Sequence, residues 1–437
     1  MRICVITSLY KPYSKGGAER IVETIVDGLL EAGNEVAVIT TKPFGRKERI
    51  SPPIRRAGLY PSLQKGELSV ISFYPLNLFW FGNIDKNPMW LRLPWHIIDV
   101  FNIYSYFKIK KILKFENPDI VMTHNIKGIG YTAPMAIRSS GIRHIHTVHD
   151  VQLVEPSGLL YQENKCDANI RMHTNYTNKV QIILRYIPAK IYELINKKLF
   201  GSPDIVISPS EWLINFYIKK GFFKNSKKIV IKNPIQVQIK NNPLFKKCEN
   251  APPLYKGGQG GVKNSLKLLY VGQIEKHKGI LFLIDVIKKL CNVSLDIVGT
   301  GSQLDKIKDV AEGYNNIKIH GFIKNNSLNT FFIQTDFLIV PSICYENAPT
   351  VIYESFSNGI PVIASKIGGI PELVKNGYNG YIYEAGNEQS LLDTLQKCAD
   401  EKWKLDKLKQ NALNSVERWG INNYLNILTS EIKRLKD

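Results

Sequence analysis

Two glutamates, Glu346 and Glu354, stand with seven residues between them in "YENAPTVIYESFSNGIPVIAS", on either side of Pro349. A strand-like run, "DFLIVPS", and a loop, "ICYENA", lead into this stretch. Pro349 suits the first turn of a helix running from about Thr350 to Ser357, which Gly359 and Pro361 bring to an end. A helix start exposes unpaired N–H groups and positive potential, so it is a ready anion site. A carboxylate beside a bound phosphate would repel it. Glu346 and Glu354 are therefore expected to face neutral hydroxyls, and carboxylates accept hydrogen bonds from sugar and ribose hydroxyls well. Anion plus polyol describes a sugar nucleotide. Taken alone, the same two residues read as a capping acid and a solvated helix residue; the strand–loop–helix–strand setting favours binding.

Other groups have chemistry to offer. Lys278 ends a G-x(5)-K-G run after the strand-like "LKLLYVG", which makes it a phosphate contact or, in a lysine-rich loop, a solvated charge. Gly16 and Gly17 precede a helix, and their lack of Cβ would let the backbone approach a phosphate. Their spacing is not the G-x-G-x-x-G dinucleotide fingerprint, and a tight β–α turn would use them equally well. "RHIHTVHD" carries three histidines. Strand alternation puts His144 and His146 on one face, while His149 falls at the strand end, where catalytic groups gather. His144 and His146 read as packed strand residues, since no acid or cysteine completes a metal-ligand set at a recognisable spacing. With no D-x-D motif either, the expectation is an enzyme needing neither metal nor cofactor.

These residues need elements to hold them. "RICVITSLY" reads as a strand, "AERIVETIVDGLLEAG" as a helix with Ile21, Ile25 and Leu29 on one face and Gly33 closing it, and "NEVAVITT" as the next strand. That β-α-β unit implies a parallel sheet. "DIVMTH", "HIHTVHD" and "DIVISPS" continue the series, with helical stretches such as "KIYELINKKLF" between them. Residues 236–265 are rich in Asn, Pro, Gly and Lys, and read as a linker in which "PPLYKGGQGG" is an inserted flexible segment. A second series then runs through "LKLLYVG", "VSLDIVG", "IKIHGF", "DFLIVPS" and "IPVIAS". The fold class is α/β: two doubly wound, Rossmann-like halves, over residues 1–235 and 266–418, with 419–437 as an amphipathic helix returning to the first half.

The stretch "PSICYENAPTVIYESFSNGIPVIASKIGGIPELVKNGYNGYIYE" resembles the donor-site signature of glycosyltransferase family 4, whose fold is GT-B. The resemblance covers nearly the whole chain. "SLYKPYSKGGAERIVETIVDGLLEAGNEVAVIT" is similar to the family's N-terminal glycine loop, "HTVHD" to its central histidine segment and "YVGQIEKHKGI" to its phosphate-binding loop. It implies two Rossmann-like domains facing across a cleft, with acceptor bound by the first and donor by the second. It also implies sugar transfer from a nucleotide-diphosphate sugar with retention of configuration, by front-face attack without an evident protein nucleophile. Glu346 matches the glutamate that contacts hydroxyls of the transferred sugar, and Glu354 the one that holds the ribose. Asn347, Ala348, Pro349 and Thr350 match the turn whose backbone amides meet sugar and diphosphate, although Pro349 lacks a donor. Lys278 matches the lysine that neutralises the diphosphate. Gln273 stands where many members carry an arginine, which shifts the load to Lys278 or Lys276. Gly16 and Gly17 match the glycine loop, and His149 the histidine near the reacting sugar.

Bulk composition bounds the rest. Apolar residues make up 44% and charged residues 22% of the 437-residue chain, as in folded soluble proteins of two domains. The net charge is +20, and residues 1–240 hold 34 basic against 18 acidic side chains, so the surplus belongs to the first half. Such a field attracts nucleic acid, anionic lipid or anionic small molecules. No nucleic-acid module is recognisable, and no nucleic-acid partner is expected. Residues 73–115 mix aromatics with clustered lysines, which reads as a surface attached to an anionic membrane or as a core helix with a solvated basic face. The acceptor is then expected to be a saccharide or lipid-linked acceptor in polysaccharide or O-antigen assembly. The six cysteines, Cys4, Cys166, Cys248, Cys291, Cys344 and Cys398, are scattered, and "MRICVITSLY" reads as a strand and not a leader. Together these point to the cytoplasm, at the inner face of the cell membrane. The competing readings are a sugar-nucleotide epimerase of related architecture and a non-enzymatic basic protein that binds membrane or nucleic acid.

Overall fold

The computed structural model describes residues 1–46, 50–51, 66–160, 179–235 and 265–435. The linker expected over 236–265, Ser265 apart, lies outside the described residues, as do Cys166 and Cys248. The chain forms two compact units. One gathers the described residues of Met1–Leu159, Tyr176–Pro234 and Ile421–Asp437, the other those of Leu160–Asn175 and Ile235–Gly420.

The first unit starts with β1 (Arg2–Ile6), α1 (Gly17–Glu31) and β2 (Glu35–Thr41), with β1 and β2 parallel. Ile21, Ile25 and Leu29 are buried along one side of α1, and Gly33 turns the chain at φ 80°, a left-handed conformation that glycine adopts without a Cβ clash. The other strands are β3 (Ile50–Ser51), β4 (Leu68–Phe73), β5 (Ile120–Thr123), β6 (Arg143–Thr147), β7 (Ile205–Ser208) and β8 (Lys227–Val230). Among the described residues the sheet order is β3-β4-β2-β1-β5-β6-β7-β8, and β3 alone runs antiparallel to its neighbour. Ile3, Cys4, Val5 and Ile6 are all fully buried, because a parallel sheet with helices on both faces needs apolar residues at every position.

Two helices, α2 (Met89–Val100) and α3 (Ile103–Glu116), follow β4. The aromatic stretch of residues 73–115 divides here. Phe73, Trp80 and Trp95 are core residues, and Trp95 stacks between Phe79 and Phe81. Others in the same stretch face solvent.

The Ile421–Arg434 helix packs on α1 in the first unit. Trp419, assigned to that final helix by the sequence reading, instead packs in the second unit. Its ring lies 4.8 Å from that of Tyr353 and 6.1 Å from that of Phe356. The helix proper starts after Gly420, at Ile421.

The second unit contains β9 (Leu266–Val271), β10 (Val293–Val298), β11 (Ile317–Gly321), β12 (Phe337–Val340), β13 (Val362–Ser365) and β14 (Gly380–Tyr383). They form an all-parallel sheet in the order β11-β10-β9-β12-β13-β14. Strand order reverses direction between β1 and β5 in the first sheet and between β9 and β12 in the second. At such a switch point the connections leave to opposite sides, and a crevice opens beyond the carboxyl ends of the two strands.

The contact between α1 and the C-terminal helix is tight. A Cβ on Gly28 would lie 2.5 Å from Ile421 Cγ1 and 3.1 Å from Leu425 Cδ1. Gly28→Leu should overpack this seam and cost about 1–3 kcal/mol in urea or thermal unfolding. Wild-type stability in that variant would show that the C-terminal helix contributes nothing there.

Candidate active site

In the second unit the crevice beyond β9 and β12 is formed by residues 272–279 and 341–349. The two loops are tied to each other. Ile343 N–H donates to the His277 carbonyl at 3.1 Å, and Gly279, at φ 72°, comes so close to Pro341 that a Cβ would lie 2.0 Å from its carbonyl oxygen. Only glycine fits there, and that explains the glycine following Lys278. The result brings Lys278 Nζ to 2.5 Å from Glu346 Oε1, which also accepts from Ser342 Oγ at 3.1 Å. Glu346 is held from behind as well: its carbonyl accepts from Gly369 N–H at 2.8 Å, and Gly368, at φ 60°, lies against the same carbonyl.

Burial pushes the Lys278 ammonium down, but the charge and hydrogen bond of Glu346 outweigh it and leave the lysine above its ordinary 10.5. For Glu346, burial pushes the carboxyl up, while the Lys278 charge and hydrogen bonds from Lys278 and Ser342 bring it below its ordinary 4.5. The carboxylate's contribution to stability is present above pH 4.5 and lost as pH falls through its lowered value; the ammonium's is present below 10.5 and lost as pH rises through its raised one. The pair is thus fully ionised across the physiological range.

The helix Thr350–Ser357 starts directly after this pair. Pro349 is its N-cap residue, and the helix has the bounds that the sequence suggested. Asn347 is buried, Ala348 and Thr350 are half-buried, and Glu354 is half-buried in the fifth helical position, its carbonyl accepting from Asn358. Gln273 is exposed, with its carbonyl accepting from Tyr270 Oη at 2.6 Å, and Lys276 is also exposed. The ion-paired cation in this crevice is Lys278.

In the first unit the crevice beyond β1 and β5 is bordered by residues 7–16, 124–132 and 148–159. Gly16 is the N-cap of α1, and its N–H donates to the Glu19 carboxylate at 2.8 Å. Its φ of −130° is open to any residue, so the turn does not require glycine at that angle. The amide that the sequence reading offered to a phosphate is taken by an internal acid. Gly17 is the first helical residue.

His149 is half-buried, with Nε2 3.0 Å from Nδ1 of the buried His124. His144 and His146 are packed strand residues, as expected, and both reach the Thr123 hydroxyl, at 2.7 and 2.9 Å. That hydroxyl donates to only one ring, so the other ring donates to it. Burial drives His149 down to about 4 and His124 well below its ordinary value, so both rings are neutral at pH 7. Burial also raises Asp150 to about 6 against the opposing Gln152 N–H and Lys127 charge, with Glu19 reinforcing the rise. Among the described residues no group of three or more His, Cys, Asp or Glu side chains could hold a metal.

Asp99, on α2, carries no sequence signal. It is fully buried, and both carboxylate oxygens lie 3.0 Å from the Gly128 N–H, which anchors the loop after β5. Burial raises it to about 7, with the Gly128 hydrogen bond and Lys127 opposing.

Two family sequence models match the chain, Glycosyltransferase Family 4 over residues 15–239 and Glycosyl transferases group 1 over residues 256–415. The chain belongs to glycosyltransferase family 4. Its fold is GT-B, as the two parallel-sheet units indicate. A relative described as an uncharacterised 42.6 kDa protein in the cps region of Klebsiella pneumoniae is 24% identical over 88% of this chain and 90% of its own. The Escherichia coli UDP-Gal:alpha-D-GlcNAc-diphosphoundecaprenol alpha-1,3-galactosyltransferase is 24% identical over 71% of this chain and 74% of its own. Among solved structures, the Anabaena protein HepE in complex with UDP superposes with a TM-score of 0.62 at 16% identity, covering 99% of this chain and 100% of that one.

Of the residues singled out in this glycosyltransferase by sequence, the structure brings Lys278 and Glu346 into contact and places Asn347 to Thr350 beside them. Sequence reasoning missed Ser342, Gly368 and His124. His124 ends a strand in "DIVMTH" just as His149 does in its own segment, so the rule that selected one would have found the other.

Two outcomes test these assignments. Lys278→Met should leave Glu346 charged and short of its cation, costing about 1–3 kcal/mol, whereas Lys278→Met with Glu346→Gln should recover most of that loss. A double variant as unstable as the single one, measured by urea unfolding, would mean that the two groups are not coupled. Asp99 holds a proton in the folded state that the unfolded chain releases, so it lowers stability as pH rises from 3.8 to about 7. Relative to wild type, Asp99→Asn should therefore melt higher at pH 8 than at pH 5, by about 2–4 °C or more; the same difference at both pH values would exclude that titration.

Proposed function

We propose that this glycosyltransferase moves a sugar from a nucleotide-diphosphate sugar to a lipid-linked saccharide acceptor in the assembly of a cell-surface polysaccharide or O-antigen, at the cytoplasmic face of the membrane. The observation that carries the reading is the Lys278–Glu346 pair at the β9/β12 switch point, with the Thr350 helix opening beside it. In this reading the diphosphate takes Lys278 and the amides of Asn347, Ala348 and Thr350, and Glu354 holds the ribose. Glu346, released from Lys278, accepts from hydroxyls of the transferred sugar. Lys278 and the helix start stabilise charge on the departing oxygen, which spares the enzyme a divalent metal. His149, neutral at pH 7, hydrogen-bonds a sugar hydroxyl. Configuration is retained by front-face attack, and Glu346 is not a covalent nucleophile.

The relatives support the biological setting: one is described from a Klebsiella cps region, and the name of another gives a UDP-Gal donor and a diphosphoundecaprenol-linked acceptor. UDP-sugars therefore head the panel to test. Thermal shifts measured against UDP-, GDP- and ADP-sugars should show one nucleotide class stabilising the protein and Glu354→Ala removing the effect. With labelled donor and membranes, transfer should survive EDTA, and Lys278→Met should lower kcat by about 10²–10³-fold. Equal thermal responses to every nucleotide, or full activity in Lys278→Met, would refute the donor site.

A further inference from the structure

The helix α2 is apolar on two sides. Trp95 and Asp99 face the interior, while Trp90, Leu93, Ile97 and Phe101 are between 48% and 73% exposed. Spaced three, four and four residues apart, these four fall within one narrow stripe of the helix. Past the corner, the first turns of α3 add Ile103 and Phe107, which are 66% and 64% exposed. One turn beyond Phe107 the same solvent face becomes basic, with Lys110, Lys111 and Lys114 all exposed. None of the three lysines makes an ion pair among the described residues. A soluble surface helix normally has a polar outer face, and a continuous apolar patch on that face marks a binding surface.

We infer that the outer face of α2 and the first turns of α3 dock on an anionic lipid bilayer, with the apolar stripe in the interfacial region and the three lysines among the headgroups. The order of the residues fits that occupant. An interfacial helix carries Trp, Phe and Leu on the buried face and lysines whose long stems let the charge reach the phosphates. At 12 residues α2 spans roughly 18 Å, well short of the ~30 Å hydrocarbon core, and no helix among the described residues is long and apolar enough to cross a membrane. It lies on the surface. A second copy of the chain fits the face less well, because it would set lysines against lysines or against the apolar stripe. The face gives the lipid-linked acceptor reading a place to operate, but it is tested without donor or acceptor, so the two can fail separately.

The test is sedimentation of the full chain with vesicles of phosphatidylcholine alone or mixed with phosphatidylglycerol. Wild type should partition onto the mixed vesicles and far less onto the neutral ones. Lys110→Gln/Lys111→Gln/Lys114→Gln should weaken that partition roughly fivefold per lysine, on the order of a hundredfold in all. Trp90→Ser/Leu93→Ser/Ile97→Ser should weaken it at least about tenfold while leaving the melting temperature unchanged, since these side chains pack little inside the protein. Wild type remaining in the supernatant with the mixed vesicles would overturn the inference, and so would either triple variant binding as wild type does. A dimer in analytical ultracentrifugation that the apolar variant converts to monomer, with vesicle partition unchanged, would assign the face to a second copy instead.

Discussion

A half-buried ammonium–carboxylate pair organises the second unit. Lys278 and Glu346 come from loops 68 residues apart in sequence, and their contact depends on backbone devices that would fail with most other residues. Gly279 lets one loop lie on the Pro341 carbonyl, and Gly368 lets a third loop lie on the Glu346 carbonyl. Each is at positive φ, where a side chain would be strained even if there were room. Such a pair is an expensive way to hold a fold together, because desolvation offsets most of the attraction. Its value lies in orientation. A cation fixed beside a helix N-terminus, with its counter-charge on a movable side chain, is ready to exchange one anion for another. The difficulty raised by the sequence, a carboxylate next to an anion site, is resolved in this way, since Glu346 is itself the anion on Lys278.

The corresponding end of the first unit is built on the opposite electrostatic principle. His124 and His149 are neutral, Asp99 and Asp150 are pushed toward their protonated forms, and the amide of Gly16 is occupied by Glu19. Burial is the leading cause for all four titrating groups. A neutral, hydrogen-bonding surface suits a polyol, whereas the Lys278 crevice suits a phosphate. The two units thus share a sheet architecture and a rule for where loops converge, and they differ in the charge those loops present. In the first unit acid stress acts through the histidines: they hold fewer protons folded than unfolded, so stability is lost as pH falls below 6.5 toward their lowered values.

The strand series was legible in the sequence because parallel strands covered on both faces are unbroken apolar runs, as "RICVI", "LKLLYV" and "DFLIV" are. The helix at Thr350–Ser357 and its approach loop were legible from Pro349, Gly359 and Pro361, with the proline as the N-cap. The edge strands β3, β8 and β14 were not picked out, since two to four residues at a sheet edge carry too little periodicity to separate them from loop; β4, a longer strand inside the sheet, was also missed. In the site, residue type and local spacing identified Lys278 and Glu346 individually, but their contact is a product of strand order, which no local pattern contains. Asp99 was illegible for the same reason. Its role comes from the Gly128 amide, 29 residues on, and a lone acid in an aromatic helix looks like a solvated one. The aromatic stretch was half legible: its composition announced an unusual surface, but only helical phase separates the core Trp95 from the exposed Trp90 and Leu93.

That phase also bears on part of the charge asymmetry of the chain. A surplus of basic residues in the first half is compatible with nucleic acid, lipid or anionic small molecules, and total charge cannot choose among them. Position can. Around the loops beyond β1 and β5 the ammonium groups are committed within the chain: Lys11 pairs with Glu23 and Asp27, Lys15 donates to the Gly82 carbonyl, and Lys127 donates to the Pro156 carbonyl at 2.7 Å. The positive charge of Lys110, Lys111 and Lys114 in α3, which make no ion pair among the described residues, is differently placed. It accompanies exposed aromatic and aliphatic side chains on an outer helical face, where stability gains nothing from either kind of residue. Selection for folding alone would have made that face polar and mixed in sign, so its composition answers to something outside the chain.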